Sequence, residues 1–287
     1  MKKRQEKFSS PWKTFASRWQ YYTPPGRPSK QVIKIYKEFS LKVISKKRKP
    51  FALVLGATPE LRDLLFKLKI KRAMIDLSLE MILAMTNLRR YKDQKEIILK
   101  ANWLENPLSS NLFDLILGDI VLPNIPFSKQ KNLLKEIKRL LKPKGCLIIR
   151  HYLIPDDFQF FSFEEILQKF KSLPFYKNES MEVFAYFLNT VWNPRSKIAK
   201  AREIKKRLKK YWKKNRFVFP HKTLERVLNG IWMMWQPFDK TWATDWERNV
   251  FKQMEPYFKI LKKTVLSDCR FSEINKSFPI WLCQVKK

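Results

Sequence analysis

A short run of apolar residues marks the first predicted strand of the chain. Phe51–Leu55 consists of five apolar residues in succession, which is typical of a parallel strand buried on both faces. The run ends at Gly56, and helix-start signals follow, because Thr58 can cap a helix and Pro59 suits its first position. Apolar residues then recur at helical spacing, at Leu61, Leu64, Leu65 and Leu68. Strand, glycine turn and helix predict one βα unit.

The same alternation continues over the following residues. Further strands are predicted at 73–77, 95–101, 113–121 and 146–153, and helices at 80–90 and 129–141. Strands that alternate with helices at this spacing form a parallel sheet with helices on both faces. We therefore predict an α/β fold with a doubly wound, mostly parallel sheet.

The alternation stops after Pro155 and resumes near the end of the chain. Residues 156–255 have helical spacing and many aromatic residues, whereas 257–266 and 278–285 have the composition of strands. Two late strands would complete a seven-stranded sheet, so we interpret the helical block as an insertion before them. The predicted organisation is a basic N-terminal arm or lid at 1–50, a core at 51–155 and 256–287, and a helical cap at 156–255.

The positive charge of the chain is concentrated in two segments. The 287 residues include 60 Lys and Arg against 26 Asp and Glu, for a formal net charge of +34. Residues 1–50 hold 15 basic and 2 acidic side chains, and residues 195–216 hold 12 basic and one acidic side chain. AT-rich coding explains part of such an excess, but it would enrich Glu as well as Lys. An acidic partner, such as RNA or an anionic surface, is therefore an open interpretation.

Composition excludes several classes of protein. The 22 Phe, 10 Trp and 9 Tyr need burial, which excludes a chain that is disordered throughout. Cys146, Cys269 and Cys283 are too few and too scattered for a disulfide framework or a tetrahedral metal site, so no metal is expected. Residues 8–22 lack the apolar core of a signal peptide, and no stretch has the length and apolarity of a membrane span. We expect a cytoplasmic protein.

Small and polar residues follow the predicted strands, where an open α/β sheet binds its ligands. Gly56 allows a tight turn before a helix N-terminus, and Asp76 can accept hydrogen bonds from ribose hydroxyls. Each of these residues also has a structural interpretation when taken singly. The hypothesis of a ligand site therefore depends on their occurring together, in this order and at this spacing. The strand-end residues are Gly56, Ala57 and Thr58, then Asp76 and Leu77, then Asn102 and Trp103, and finally Gly118 and Asp119.

In this order, five segments resemble the motifs of the class I S-adenosylmethionine-dependent methyltransferases. The segments are 53–61, 75–81, 102–103, 113–119 and 140–149, and the resemblance covers 51–154 and 257–287. It implies methyl transfer with S-adenosylmethionine as the cofactor. In that family pattern Asp76 and the adjoining Leu77 contact the ribose, Asn102 and Trp103 flank the adenine, and Gly56, Ala57 and Thr58 hold the methionine part. Gly118 and Asp119 lie beside the cofactor.

The glycine-rich turn departs from the family pattern. Thr58 and Glu60 occupy its later glycine places, and Val54 occupies the place of its acid. The amino acid end of the cofactor must then find other partners, and a degenerate copy that has lost the cofactor is an alternative. A nicotinamide enzyme is disfavoured, because two of the three fingerprint glycines are absent.

Residues on the substrate side offer two candidate bases and one candidate lid. His151 leaves the fifth strand at the active edge, and Asp119 follows the fourth, so either could act on an acceptor proton. A structural role for His151 is the alternative. Tyr22 and Arg27 belong to a stiff proline-rich segment, which predicts either a flap over the cofactor or an aromatic anchor.

The methyl acceptor is predicted to be a small molecule. An aromatic insertion over the strand ends favours a concave apolar pocket. The alternative is RNA, bound by Arg195–Arg216 and the basic arm, although a solvated helix face is the commoner explanation of such a charge run. The motif Asp-Pro-Pro-Tyr, expected of many adenine-N6 methyltransferases, is absent, because Asp119 is followed by Ile120-Val121-Leu122.

Overall fold

The computed structural model describes residues 12–45, 47–92, 95–171, 179–214, 222–234 and 240–286. Parts of the predicted basic segments, namely residues 1–11, Lys46 and residues 215–216, lie outside these ranges. The strands are β1 (Phe51–Leu55), β2 (Lys71–Asp76), β3 (Ile97–Lys100), β4 (Phe113–Asp119), β5 (Leu141–Arg150), β6 (Ile198–Lys200), β7 (Thr241–Ala243), β8 (Phe258–Thr264) and β9 (Ile280–Val285).

Seven of these strands form the central sheet, in the order β3-β2-β1-β4-β5-β9-β8. The first five strands run parallel, and β9 is antiparallel to both of its neighbours. The predicted α/β fold with a mostly parallel seven-stranded sheet is therefore confirmed. The chain leaves β1 toward β2 and β3, then returns to place β4 on the other side of β1. Strand order thus reverses between β1 and β4, where open α/β sheets bind ligands.

Helices cover both faces of the sheet. Alternate residues of β1 point to opposite faces, and each face has its own hydrophobic cluster. Helices α2, α3 and α4 bury apolar residues on the first face, and α5 and α10 do so on the second. The helices are α1 (12–18), α2 (Lys30–Ile44), α3 (Pro59–Lys67), α4 (Leu79–Asn87), α5 (Phe127–Leu140), α6 (Phe163–Lys171), α7 (Glu179–Val191), α8 (Ala201–Lys214), α9 (Lys222–Met234), α10 (Glu247–Met254) and α11 (Ser272–Lys276).

The segment between β5 and β8 combines helices with a small sheet. Strands β6 and β7 pair antiparallel, an element that was not predicted because each has only three residues. The Gln130 side chain of α5 donates to the Ala243 carbonyl of β7 (3.0 Å), which ties the small sheet to the core. Buried residues of α6, α7 and α8 join the first hydrophobic cluster. In contrast, α10 buries Val250 and Met254 on the second face, under the main sheet.

The N-terminal segment packs on the sheet. Helix α1 leads into a single 3₁₀ turn, Trp19–Tyr21, and then into α2, whose N-terminus is capped by the Ser29 hydroxyl. Val32, Tyr36 and Phe39 of α2 are buried in the first hydrophobic cluster. Among the described residues, every helix is too short or too polar to cross a membrane.

Candidate active site

The turn after β1 holds the carboxylate that ends β2. Gly56 has a φ of +91°, in the left-handed region that favours glycine. The next amide, Ala57 N–H, donates to Oδ2 of Asp76 (3.1 Å), and Ser78 N–H donates to Oδ1 (2.9 Å). Burial raises the pKa of Asp76 to about 6, although these amide hydrogen bonds oppose the shift. The carboxylate is therefore fixed in orientation at the edge of the cavity described below.

Trp103 lies beside the same turn. Its indole N–H donates to the Ile75 carbonyl (2.8 Å), which fixes the plane of the ring. A Cβ atom placed on Gly56 would lie 3.5 Å from Cζ2 of Trp103 and 3.9 Å from Oδ2 of Asp76. Gly56 therefore lies beside both a flat ring and a carboxylate.

The remaining predicted residues of this region fall into two groups. Ala57 and Thr58 line the cavity together with Gly56. Asn102 and Leu77 do not line it. The Asn102 side-chain oxygen instead accepts from the Leu104 N–H (3.1 Å), so the amide stabilises its own turn.

Asp119 is held in a buried network at the ends of β4 and β5. The Arg150 guanidinium donates from Nε and Nη2 to its two oxygens, at 2.5 and 3.0 Å, and both side chains are nearly inaccessible to solvent. The Tyr36 hydroxyl donates to the Gly118 carbonyl (2.6 Å) and accepts from the Arg150 N–H (2.8 Å). Asp119 lines the cavity, but its charge is matched by Arg150. This pairing favours a structural role over that of a free base.

A cavity opens on Gly56, Asp76 and Asp119. Its empty volume of about 880 Å³ includes space that is open to solvent. The walls come from the N-terminal segment, the strand ends and the insertion. The aromatic residues of the walls are Trp12, Phe15, Trp19, Trp103, Tyr152, Phe184, Trp242 and Phe278.

Two polar residues of the cavity were not predicted from the sequence. Lys240 and Asn124 both line it, and Lys240 Nζ donates to Oδ1 of Asn124 (2.7 Å). Lys240 is one of many lysines and follows no motif, so only burial distinguishes it. Asn124 lies a few residues after the end of β4. This position near a strand end was the one feature of the sequence that could have marked it as a site residue.

His151 packs in the interior and does not line the cavity. Its ring lies 4.4 Å from the ring of Trp281, on the second face of the sheet with Ile149. The chain stays extended after β5, so alternation turns the His151 side chain away from the face that Arg150 occupies. Burial lowers the pKa of His151 to about 3, which makes it a weak base. Its environment supports the structural interpretation.

Tyr22 and Arg27 lie near the cavity without lining it. Tyr22 is buried, and its ring packs at 5.4 Å from that of Phe15. Arg27 Nε donates to Glu60 Oε1 (2.5 Å) at the start of α3, and burial raises the pKa of Glu60 despite the neighbouring Arg27 charge. The Arg27–Glu60 pair therefore joins the N-terminal segment to the turn in which Thr58 and Glu60 replace the later glycines of the family pattern.

The basic helix α8 has a narrow buried stripe and a charged outer face. Ala201, Ile204 and Leu208 are buried, whereas the side chains of Arg202 and Lys206 are 62% and 70% exposed. Arg202 and Lys206 both pair with Glu203, at 3.6 and 3.2 Å, and the remaining basic residues leave the outer face with an excess of positive charge. The described ranges contain no group of three His, Cys, Asp or Glu side chains placed to hold a metal ion.

The sheet order, the reversed strand β9 and a site at the β1/β4 switch define an α/β protein of the class I methyltransferase fold. Residues 58–149 match a family model described as a methyltransferase domain. This match covers about a third of the chain, so the region 58–149 is similar to a methyltransferase domain and lies within a sheet of the class I methyltransferase fold.

Solved structures with this fold have low sequence identity to the chain. A Rhodobacter sphaeroides protein assigned as a zinc-dependent alcohol dehydrogenase has a TM-score of 0.58 at 15% identity, over 97% of this chain and 98% of that one. A Listeria monocytogenes protein assigned as an S-adenosylmethionine-dependent methyltransferase has a TM-score of 0.51 at 10% identity, over 88% and 98%. Such identities show a shared fold and nothing about the reaction. A comparison with curated protein sequences found no match.

Proposed function

We propose that the chain transfers the methyl group of S-adenosylmethionine to a small-molecule acceptor bound in the aromatic cavity. The observation that carries the proposal is the arrangement of Asp76, Gly56 and Trp103 at the mouth of that cavity. The sequence motifs and the fold support it independently.

The residues present fit the nucleoside part of this cofactor. The Asp76 carboxylate, fixed by two amides, would accept hydrogen bonds from ribose hydroxyls. The Trp103 ring, fixed through its N–H, would lie against a base. Gly56 lies beside both of them. When bound, S-adenosylmethionine supplies an electrophilic methyl group on a sulfonium.

The chain's own contribution would be positioning rather than proton transfer. Attack on a methyl group requires alignment of the acceptor, and orientation alone contributes much of such a rate enhancement. Asp119 is paired with Arg150, and His151 is buried elsewhere, so neither is assigned as a base. The aromatic walls would exclude water and hold the apolar body of the acceptor.

Calorimetry tests the cofactor assignment. S-adenosylmethionine and its demethylated product should both bind, and NAD should not. Asp76→Ala should weaken binding by about 10- to 150-fold. This corresponds to a loss of about 1.5 to 3 kcal/mol of binding free energy, the contribution of a hydrogen bond to a charged group. Asp114→Ala is the matched control, because Asp114 lies at the opposite end of the strands and accepts from the Phe51 N–H. Heat with NAD alone, or an unchanged affinity in Asp76→Ala, would contradict the assignment.

Transfer of a labelled methyl group into a fractionated cell lysate tests the acceptor. We expect the label in the small-molecule fraction. Label in RNA would favour the second candidate, an RNA methyltransferase, for which the exposed charges of α8 provide the specific observation. If the protein binds the cofactor but transfers no label to any fraction, the result would favour a degenerate cofactor-binding scaffold that does not catalyse methyl transfer.

A further inference from the structure

The most unusual charged group of the cavity is the buried ammonium of Lys240. Lys240 is only 8% exposed and lies immediately before β7. Its carbonyl accepts from the Ala201 N–H (3.0 Å) at the start of α8, so the backbone is anchored by the small sheet and the helix. Lysine is almost never buried to this extent unless it is paired.

The side chain of Lys240 is held by one hydrogen bond and two aromatic rings. Nζ donates to Oδ1 of Asn124 (2.7 Å) and lies 4.1 Å from the ring centre of Trp12 and 5.8 Å from that of Trp242. Asn124 donates from Nδ2 to the Ile120 carbonyl (2.8 Å), which fixes its oxygen toward the lysine. An ammonium has three donors, and Asn124 is the one oxygen it reaches among the described residues.

The described part of the cavity supplies no anion to balance this charge. Asp119 is paired in a fork with Arg150. The Asp76 oxygens accept from the amides of Ala57 and Ser78. Within the described ranges, Lys240 forms no ion pair, and burial lowers its pKa to about 7. The positive charge therefore lacks a partner on the protein side of the cavity.

We propose that Lys240 binds an anionic group, a carboxylate or a phosphate, of the molecule that occupies the cavity. The two remaining donors of the ammonium would satisfy such a group, and the aromatic walls would hold an apolar body attached to it. That this molecule is a methyl acceptor rests on the function proposed above, whereas anion binding itself does not. The methionine carboxylate of the cofactor is the other source of the same chemistry.

The contacts favour anion binding over a role for Lys240 as a general base. The hydrogen bond to Asn124 is open to a neutral amine as well as to an ammonium, so the aromatic contact separates the two roles. Nζ lies over the face of Trp12, a contact that stabilises the charged form. A charged lysine binds anions and has no lone pair with which to accept a proton.

The first experiment uses the unmodified protein, with hexanoate and its uncharged amide, hexanamide, as probes. Calorimetry at about pH 8, in two buffers of different ionisation enthalpy, measures affinity and proton uptake. Hexanoate should bind at least about tenfold more tightly than hexanamide and should take up a proton, because an anion favours the charged lysine. Equal affinities would overturn the proposal. Tighter binding of hexanoate without proton uptake would still support it, because Lys240 would then be charged before the anion binds.

The second experiment compares Lys240→Met with Lys200→Met. Lys200 lies in β6 and does not line the cavity, so its replacement removes the same charge from the same small sheet. Lys240→Met should lose the preference for hexanoate and the proton uptake, while Lys200→Met keeps both. Retention of both in Lys240→Met would overturn the proposal. Because the first experiment needs no variant, it decides the question even if Lys240→Met fails to fold.

A final comparison identifies the source of the anion. S-adenosylmethionine carries a carboxylate, whereas 5′-methylthioadenosine lacks the amino acid part. If Lys240→Met weakens only the former by about tenfold, the carboxylate is that of the cofactor. If neither changes, the anion belongs to the acceptor. A chain that binds hexanoate through Lys240 but not S-adenosylmethionine would contradict the proposed function and leave the anion site intact.

Discussion

Replacement of Asp76 by Asn should stabilise the fold while it weakens the site. Burial raises the pKa of Asp76 from 3.8 to about 6. As pH rises through this interval, the unfolded chain releases the proton and the native chain retains it, so stability falls. A difference of about two pKa units, at about 1.36 kcal/mol each, amounts to about 3 kcal/mol, lost in full above pH 6.

An Asn side chain should reproduce the protonated form of Asp76. Asn and protonated Asp each have one acceptor oxygen and one donor group. In either case the oxygen can accept from one of the two amides, Ala57 N–H or Ser78 N–H, and the donor group faces the other. Asp76→Asn should therefore avoid the cost of ionisation at every pH. We expect it to be more stable than the native chain by about 3 kcal/mol at about pH 7.5 and by about 1 kcal/mol at about pH 4.5.

Urea unfolding at both pH values, followed by circular dichroism, measures this difference. Asp114→Asn is the control with the opposite sign. Burial alone would raise the pKa of Asp114, but hydrogen bonds from Lys142 and the Phe51 amide, with the charges of Lys142 and Lys47, lower it. Its ionised form therefore stabilises the fold above the pKa of the unfolded chain, and Asp114→Asn should be less stable at about pH 7.5. If the stability difference between Asp76→Asn and the native chain does not grow from about pH 4.5 to about pH 7.5, the inference that burial raises the pKa of Asp76 is wrong.

Three further changes have defined outcomes. Gly56→Ala should cost about 1 to 2 kcal/mol in urea unfolding, because its φ of +91° strains any residue with a Cβ, while the added methyl makes only ordinary contacts. Tyr36→Phe should cost about 1 to 3 kcal/mol, since it leaves a carbonyl of β4 and an amide of β5 buried without their hydroxyl; a loss below 0.5 kcal/mol would argue against this bridge. If α8 binds RNA, log affinity should fall with log salt by about 0.7 per contacted phosphate. That slope should flatten, with cofactor affinity intact, when Gln replaces Lys205, Lys206, Lys209 and Lys210.

The sheet could be predicted because its signals are local. Five apolar residues in Phe51–Leu55, followed by a glycine and a helix-start pattern, leave few alternatives to a buried parallel strand. The positions of Gly56 and Asp76 at strand ends follow from the same pattern, since parallel strands end at one edge. Strands β6 and β7 escaped prediction, because three residues are too few to establish a period.

The electrostatics of the site could not be predicted, because they depend on residues distant in the sequence. Asp119 appeared as a candidate base until the structure placed Arg150, on the next strand, in a fork against it. His151 follows Arg150 directly, and the alternation of side chains along the backbone decides that Arg150 meets Asp119 while His151 packs against Trp281. Lys240 is distinguished from the other lysines by its burial beside Trp12 and Asn124. Both residues are distant from it in the sequence, so the sequence could not predict that environment.

The Tyr36 hydroxyl, which bridges β4 and β5, bears on where the smallest folding unit begins. The matched methyltransferase domain starts at residue 58, and the first strand starts at Phe51. A chain shortened to begin at β1 would lose that hydroxyl and would expose the sheet surface on which Val32 and Phe39 pack. We expect such a chain to fold poorly, because an apolar face and two buried backbone groups would meet water. The unit defined by sequence families and the unit that can fold alone therefore differ, and α2 belongs to the second.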